Sequence, residues 1–340
     1  MSLSHASRFL SCSEGSSGAG SADAGDCFRC RRHVSCLPSL INIGVQKAGT
    51  GELQKWLSVH PAVKVHGGEA HFFDRAPLPK TCSASHSASL RLRYAKFLWE
   101  RRALSEDAVR GKLVYEKTPA YFDRATPQLV ACTVPSARLL VVLRLPEARA
   151  YSAYAMCQRE FDLAWCKPPF ATTLRGVLRP GDNRTGPTLD RRALRRKRKL
   201  GRVLLMGHYS AYVSRWFDAF GPAQLRVLWL EQFKRDPFAC LRAVEAYAGL
   251  PAHDFRAVAR RNSAGYWVVG ESKSDSASTS AAVASQTPAL SLPSATDRLA
   301  AAAQREALAT LRAHYAPWQR RLGLLLQATN TSLLDQPLPM

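Results

Sequence analysis

Residues 44–52 read Gly44-Val-Gln46-Lys47-Ala48-Gly49-Thr50-Gly51-Glu52, a turn punctuated by glycine that carries one lysine and one threonine. Glycines let a backbone turn tightly and aim its N–H groups inward. A helix that starts after such a turn adds partial positive charge at its N-terminus. Lys47 brings a full charge and Thr50 a hydroxyl, so the segment has the makings of a cradle for a phosphate-like anion. It departs from the GxxxxGK[ST] pattern because the lysine precedes the glycines. Strand-to-helix turns are also glycine-rich for purely structural reasons.

Two further segments deliver cations in the same way. Tyr115-Glu116-Lys117-Thr118-Pro119 and Leu143-Arg144-Leu145-Pro146 each follow an apolar run. With the three runs as neighbouring strands, Lys47, Lys117 and Arg144 reach one edge, and like charges gathered there call for a bound anion. Between the first two runs lies Gly67-Gly68-Glu69-Ala70-His71-Phe72-Phe73-Asp74, where a carboxylate and an imidazole flank an aromatic pair. Each of these also fits a solvated loop.

The elements that must position these residues follow from periodicity. Four short apolar runs, Leu40–Val45, Lys112–Glu116, Arg138–Leu143 and Leu225–Glu231, read as buried strands. Leu53, Trp56, Leu57 and His60 share a helical face that Pro61 ends. Tyr209, Tyr212, Val213, Trp216, Phe217 and Phe220 follow i, i+3, i+4 spacing up to Gly221-Pro222, a core stripe more than a sugar platform. Asp236-Pro237 is an N-cap with proline at N1, and Gly249 closes that helix. Asp297 is expected to cap a last long helix, broken or kinked at Pro317. The pattern predicts one α/β domain, P-loop-like, with a central, mostly parallel sheet flanked by helices. Ligands of such sheets sit at the carboxyl ends of the strands.

Low-complexity stretches bound that domain. Residues 1–37 are expected to be disordered, 38–330 to form the domain with flexible excursions at about 168–202 and 274–296, and 331–340 to be a tail. The chain has 340 residues with 48 basic and 26 acidic side chains, a net charge of +22 that favours polyanionic partners. Eight cations fall within Arg191–Arg202, which suits a solvated loop, an anionic polysaccharide contact or a nuclear-targeting signal. No apolar run approaches a transmembrane helix, and no secretory h-region or membrane anchor is visible. The nine cysteines are an odd number. Cys27-Phe-Arg-Cys30 lacks a second half for a zinc set, so no metal site is expected, and Cys157 with Cys166 suits a short disulfide loop. His60 and His208 read as packing or capping residues, while Trp165 and Trp267 fall near loops where a sugar ring could stack.

In order and spacing, GVQKAGTGELQKWLSVHP, GGEAHFFDR, YEKTPAYF and VVLRLPEARAYSAY resemble the sulfotransferases of the heparan sulfate class, most of all the glucosaminyl 3-O-sulfotransferases and the N-sulfotransferases. The likeness continues through residues 207–251, Glu271–Lys273 and LRAHYAPWQRRL near the end. It implies 3′-phosphoadenosine 5′-phosphosulfate (PAPS) as sulfuryl donor, released as adenosine 3′,5′-bisphosphate, with a carbohydrate acceptor, an anionic polysaccharide, and no nucleic acid or metal. It further implies that Gln46, Lys47, Ala48, Gly49, Thr50, Gly51 and Glu52 hold the 5′-phosphosulfate, and that Arg144 and Ser152 hold the 3′-phosphate. By the same resemblance Glu69 is the general base, Lys117 and His71 line the sulfuryl and acceptor site, and Tyr209 and Lys273 lie near the cofactor. The Golgi lumen is the implied compartment.

The chain also departs from that family. Arg144-Leu145-Pro146 stands where the family has Arg-Asp-Pro, and Lys273-Ser274-Asp275 where it has Lys-Gly-Arg, so that either cofactor affinity suffers or Arg260 and Arg261 substitute for the lost cation. The family's cysteine pair around a late hairpin is missing from residues 263–270. Two other readings stay open: a P-loop kinase, disfavoured by the misplaced lysine, and a non-catalytic binder of heparin-like polymers or nucleic acid, favoured by the net charge.

Overall fold

The computed structural model describes residues 9–11, 26–30, 33–79, 81–82, 84–100, 104–161, 163–179, 188–190, 198–270 and 295–334. The chain divides into two compact units: residues 1–145, 209–257 and 318–340 form the first, and residues 146–208 and 258–317 the second.

The first unit is built on five parallel strands, β1 (Leu40–Gly44), β2 (Val63–Val65), β3 (Leu113–Lys117), β4 (Arg138–Leu143) and β5 (Leu225–Trp229), in the order β5-β4-β1-β3-β2. β1 and β3 are buried along their whole length, so the polar Asn42, Glu116 and Lys117 they carry are buried with the apolar residues. After β1 the chain runs to the β2 edge and returns to β3, then crosses to the far side of β1 for β4. The strand order therefore reverses at β1, the place where open α/β sheets bind ligands. The first three of the four expected strands match within a residue or two at each end. The fourth is shorter than expected, because residues 230–235 form a helix that begins with Leu230. The additional strand, β2, spans three residues.

Helices follow the signals in the sequence. Leu53, Trp56 and Leu57 are buried on the helix Thr50–Ser58, and Trp56 meets Phe238 edge-on with ring centroids 5.9 Å apart. The helix Pro237–Ala248 starts on the Asp236 side chain, which accepts from the Ala239 amide at 3.0 Å, and ends at Gly249 in the left-handed conformation (φ 71°). Trp216 is fully buried on Tyr209–Phe220 and donates to the Phe122 carbonyl at 3.2 Å, as a core side chain. His60 also serves packing: Nδ1 accepts from the Ala62 amide and Nε2 faces the Pro251 carbonyl, both at 3.0 Å.

Order begins upstream of Pro38, contrary to expectation. Cys27–Cys30 and His33–Cys36 pair antiparallel, and Cys27 and Cys36 face each other and form a disulfide. Phe28, Val34 and Leu37 are buried, and the Trp99 indole donates to the Cys36 carbonyl at 2.8 Å. Burial plus a crosslink orders a segment that composition alone leaves loose. Nor does the far end simply trail: Val227 of β5 donates to Thr331 at 2.9 Å and accepts from Leu333 at 2.8 Å. A second disulfide, Cys82–Cys132, anchors the start of the helix Ala84–Trp99.

The second unit packs Pro146–Glu160, Phe170–Arg175, Arg198–Leu205 and the helix from Ala295 around Tyr154, Phe170, Leu204, Leu311 and Tyr315. The expected pair Cys157–Cys166 is a disulfide, and Tyr154 donates to the Pro168 carbonyl across the same excursion at 2.6 Å. The helix Ala295–Thr329 runs through Pro317 without breaking, and Asp297 lies inside it and not at its cap. Residues 191–197 of the basic run and 271–294 of the late low-complexity stretch lie outside the described residues. Arg198, Lys199 and Arg202 are exposed on a helix whose Leu200 and Leu204 are buried. Among the described residues no helix is long and apolar enough to cross a membrane.

Replacing Asp236 with Ala removes the cap of Pro237–Ala248 and should lower unfolding stability by about 1 kcal/mol in urea titration, leaving the denaturant slope unchanged.

Candidate active site

The turn after β1 is shaped by close packing. A Cβ on Gly44 would lie 2.6 Å from Phe122 Cβ, and one on Gly49 would lie 2.6 Å from a Leu230 methyl. Gly49 has φ 83°, and Lys47 holds the left-handed conformation at φ 69° without being glycine. Such a conformation in a non-glycine residue costs energy and persists only where its surroundings fix it. Gln46 and Gly51 are exposed, Lys47, Gly49 and Glu52 half-buried, and Ala48 and Thr50 buried. In the first turn of the helix Thr50–Ser58 the Glu52 and Leu53 amides donate to the Gly49 carbonyl at 3.0 and 3.1 Å, and the amides before them lie at the helix start, where no intrahelical acceptor precedes them.

Arg144, at the end of β4, donates through Nη1 to the Lys47 carbonyl at 3.2 Å, so the structure brings these two expected residues together. The segment that carries Arg144 is fixed twice more: the Tyr209 hydroxyl donates to the Arg144 carbonyl at 2.8 Å, and the Leu145 amide donates to Glu231 Oε1 at 3.1 Å. Tyr209 is fully buried against Phe122 and Trp229.

At the end of β3, Lys117 donates to Glu69 Oε1 at 3.0 Å. Glu69 Oε2 lies 3.2 Å from His71 Nε2, and His71 Nδ1 lies 3.1 Å from both Asp74 oxygens. The Asp74 side chain is fully buried, with Arg124 Nη1 at 3.9 Å. The result is a continuous chain Lys117–Glu69–His71–Asp74 in which Glu69 has the most exposed side chain (39%) and Lys117 one of 8%. A carboxylate held on one oxygen by an ammonium and on the other by an imidazole is fixed in orientation while it stays open to solvent.

Beneath this chain lies a buried relay. Thr118 donates to Glu116 Oε1 at 2.5 Å and accepts from the Ala70 and His71 amides at 2.9 and 3.3 Å. Burial pushes the Glu116 carboxyl up to about 8, against the opposing pull of the Thr118 hydrogen bond. Glu116, Thr118, Asp74 and Glu231 were not singled out from the sequence as site residues. The i, i+3 spacing of His71 and Asp74 and the i, i+2 spacing of Glu116 and Thr118 were the available signals.

Lys47, Glu69, His71, Lys117, Arg144 and Tyr209 all lie in the first unit. Ser152 is half-buried on Pro146–Glu160 in the second unit, and Lys273 lies outside the described residues. The late hairpin Ala259–Arg261 with Trp267–Val269 forms without a cysteine staple, and there Arg261 stacks on Trp267 at 4.4 Å and donates to the Gly265 carbonyl at 2.6 Å. Trp165 packs edge-on against Tyr154. His208 pairs with His314, Nε2 to Nε2 at 2.9 Å, and burial followed by this neighbour pushes His208 down to about 4. Among the described residues no group of three or more His, Cys, Asp or Glu side chains is placed to hold a metal ion.

No protein-family model matches the chain. It is 30% identical over 217 residues to mouse (Mus musculus) heparan sulfate glucosamine 3-O-sulfotransferase 3B1, which covers 63% of this chain and 46% of that protein. It is 27% identical over 219 residues to the human (Homo sapiens) bifunctional heparan sulfate N-deacetylase/N-sulfotransferase 3, covering 64% of this chain and 23% of that protein. The chain thus spans less than half the length of these curated relatives. A solved sulfotransferase from Alicyclobacillus acidocaldarius aligns over 63% of this chain and 81% of its own, with 26% identity and a TM-score of 0.46. The curated homologues of this chain are heparan sulfate 3-O-sulfotransferases and N-sulfotransferases, as the resemblance in the sequence implied.

Proposed function

We propose that the chain is a sulfotransferase that moves the sulfuryl group of PAPS to a hydroxyl or amino group of a heparan-sulfate-like polysaccharide. The observation that carries this reading is the fixed chain Lys117–Glu69–His71–Asp74 at the strand edge that also bears Lys47 and Arg144. The donor types suit a sulfated nucleotide: the helix start after Gly49 carries Lys47 and Thr50 beside it, and the Arg144 guanidinium reaches the Lys47 carbonyl, an arrangement that favours an anion. Open space at the Gly51 Cβ position leaves that helix start unobstructed. When bound, PAPS supplies a sulfuryl group on a phosphate leaving group.

The residues of the chain do the rest. Glu69 accepts the proton of the acceptor as it attacks, while Lys117 and His71 hold the two carboxylate oxygens in place. Asp74 orients His71, as the third member of a triad orients its base. Lys47 offsets negative charge that grows on the departing side while Arg144 holds the 3′-phosphate, and positioning and electrostatics carry most of the rate, as in phosphoryl transfer. Disulfides at Cys27–Cys36, Cys82–Cys132 and Cys157–Cys166 suit an oxidising compartment, which supports the Golgi lumen as the place of action.

Purified protein given radiolabelled PAPS and heparan-type acceptors should transfer label to the polysaccharide. Adenosine 3′,5′-bisphosphate at a hundredfold excess over Kd should raise Tm by roughly 5 °C. Absence of both transfer and nucleotide binding removes the proposal. Salt-sensitive heparin binding without turnover is the result expected of a non-catalytic polyanion binder.

Glu69→Gln should lower kcat by about 10²- to 10⁴-fold and leave the nucleotide-induced Tm shift intact. Gly49→Ala forces a side chain into the left-handed region and against Leu230. It should cost about 1–3 kcal/mol of stability and abolish most of the nucleotide-induced shift.

A further inference from the structure

Three consecutive amides of the segment that follows Glu69 are held by side chains from the end of β3 and the turn beyond it. Ala70 and His71 donate to the Thr118 hydroxyl oxygen at 2.9 and 3.3 Å, and Phe72 donates to the Tyr121 hydroxyl at 3.1 Å. His71, the middle residue, is left-handed at φ 57°, which a bonded frame on both sides must fix. The Thr118 hydroxyl is fully used. Its oxygen takes two amide protons, and its own proton goes to Glu116 Oε1 at 2.5 Å, with the Tyr121 hydroxyl also within its reach. Glu116 is completely buried, and the Tyr94 hydroxyl lies 3.4 Å from its other oxygen.

We propose that Glu116 is a positioning residue for the candidate base: through Thr118 it fastens the Ala70–His71 backbone to β3 and so sets where Glu69 and His71 stand. This rests on the reading of Glu69 as the base. The groups that face Glu116 are Tyr94 from the helix Ala84–Trp99, Tyr121 from the turn after β3, and Tyr115 and Lys117 beside it in the strand. Tyr94 and Tyr121 are themselves pushed well above the ordinary tyrosine range, first by burial and then by Glu116. The one cation among the four, Lys117, is bonded to Glu69. A buried carboxyl in such company keeps its proton at neutral pH, with its midpoint pushed up to about 8. The unfolded chain loses that proton near the usual carboxylate range, so the native state binds more protons between there and about 8. The stability contributed by the un-ionised acid is complete at the acid end of this window and is lost as pH rises through about 8.

The test compares Thr118→Val, Thr118→Ser, Glu116→Ala and Glu116→Gln in the full chain by two independent readouts. Amide hydrogen exchange over residues 69–73 should rise about tenfold in T118V and E116A and return to the wild-type level in T118S and E116Q. Sulfuryl transfer should fall about 10²-fold in kcat in the first two variants, with the nucleotide-induced Tm shift unchanged, and recover in the conservative pair. E116Q should also lose the fall in Tm that wild type shows between pH 5 and about 8, because it has no proton to release. Unchanged exchange in T118V, or parallel pH dependence in E116Q and wild type, overturns the inference. If E116A does not fold, T118V and T118S carry the same comparison. Wild type that neither binds nucleotide nor transfers sulfuryl removes the functional reading alone, because exchange and the pH dependence of Tm are read without turnover.

Discussion

Lys117 closes a buried strand with a side chain only 8% exposed, and the structure cannot leave its ammonium there without a counter-charge. Glu69 supplies it at 3.0 Å from a loop 48 residues earlier in the chain. That pairing draws the loop to the end of β3, where His71 and Asp74 continue the chain. Once Glu69 is drawn to the end of β3, His71 falls between Glu69 and Asp74, and the amides of Ala70 and His71 fall on Thr118. Lys117 is largely desolvated while Glu69 stays open to solvent, so removing Glu69 leaves a buried ammonium uncompensated. The site is therefore held by a charge the fold cannot afford to strand.

Around this pair the sheet acts as a ruler. β1 is flanked by β3 and β4, so their carboxyl ends stand side by side at the inter-strand spacing of about 4.8 Å. Lys47, Lys117 and Arg144 share an edge for that reason, although 97 residues separate the first from the last. The turn that carries Lys47 has no room to drift. Gly44 lies against Phe122, and Gly49 against Leu230, with less clearance than a methyl group needs. Backbone packing thus fixes one side of the site, and charge and hydrogen bonds fix the other.

What the sequence made legible were features whose causes are local. The 3.6-residue stripe from Tyr209 to Phe220, the Asp236-Pro237 cap with Gly249, and the apolar run Arg138–Leu143 each depend on neighbours a few residues away, and each appears where expected. The three-residue β2 was too short to register a period, and residues 27–36 gain order from a crosslink and from Trp99, which no local pattern announces. Proline at 317 suggested a break, yet the helix continues through it, because a continuing helix can forgo one amide bond where its neighbours hold it. The site divides in the same way. Glu69, His71 and Lys117 stood out by chemical type, whereas Thr118 and Glu116 matter only through contacts that tertiary folding creates.

Leu145 stands where the resemblance led one to expect an acidic residue, and other contacts hold Arg144 in its place. A carboxylate next to Arg144 would steer the guanidinium directly. Here Arg144 is steered through its backbone instead, by Tyr209 on its carbonyl and by Glu231 on the following amide. The guanidinium itself reaches the Lys47 carbonyl, which ties the β4 end to the β1 turn. Glu231 lies just past the end of β5, the strand next to β4, and reaches the Leu145 amide from there. Among the described residues its second oxygen is buried without a hydrogen-bond partner, a cost set against holding that corner in place. The cation at the end of β4 is thus held through the backbone on either side of it and through its own bond to the Lys47 carbonyl.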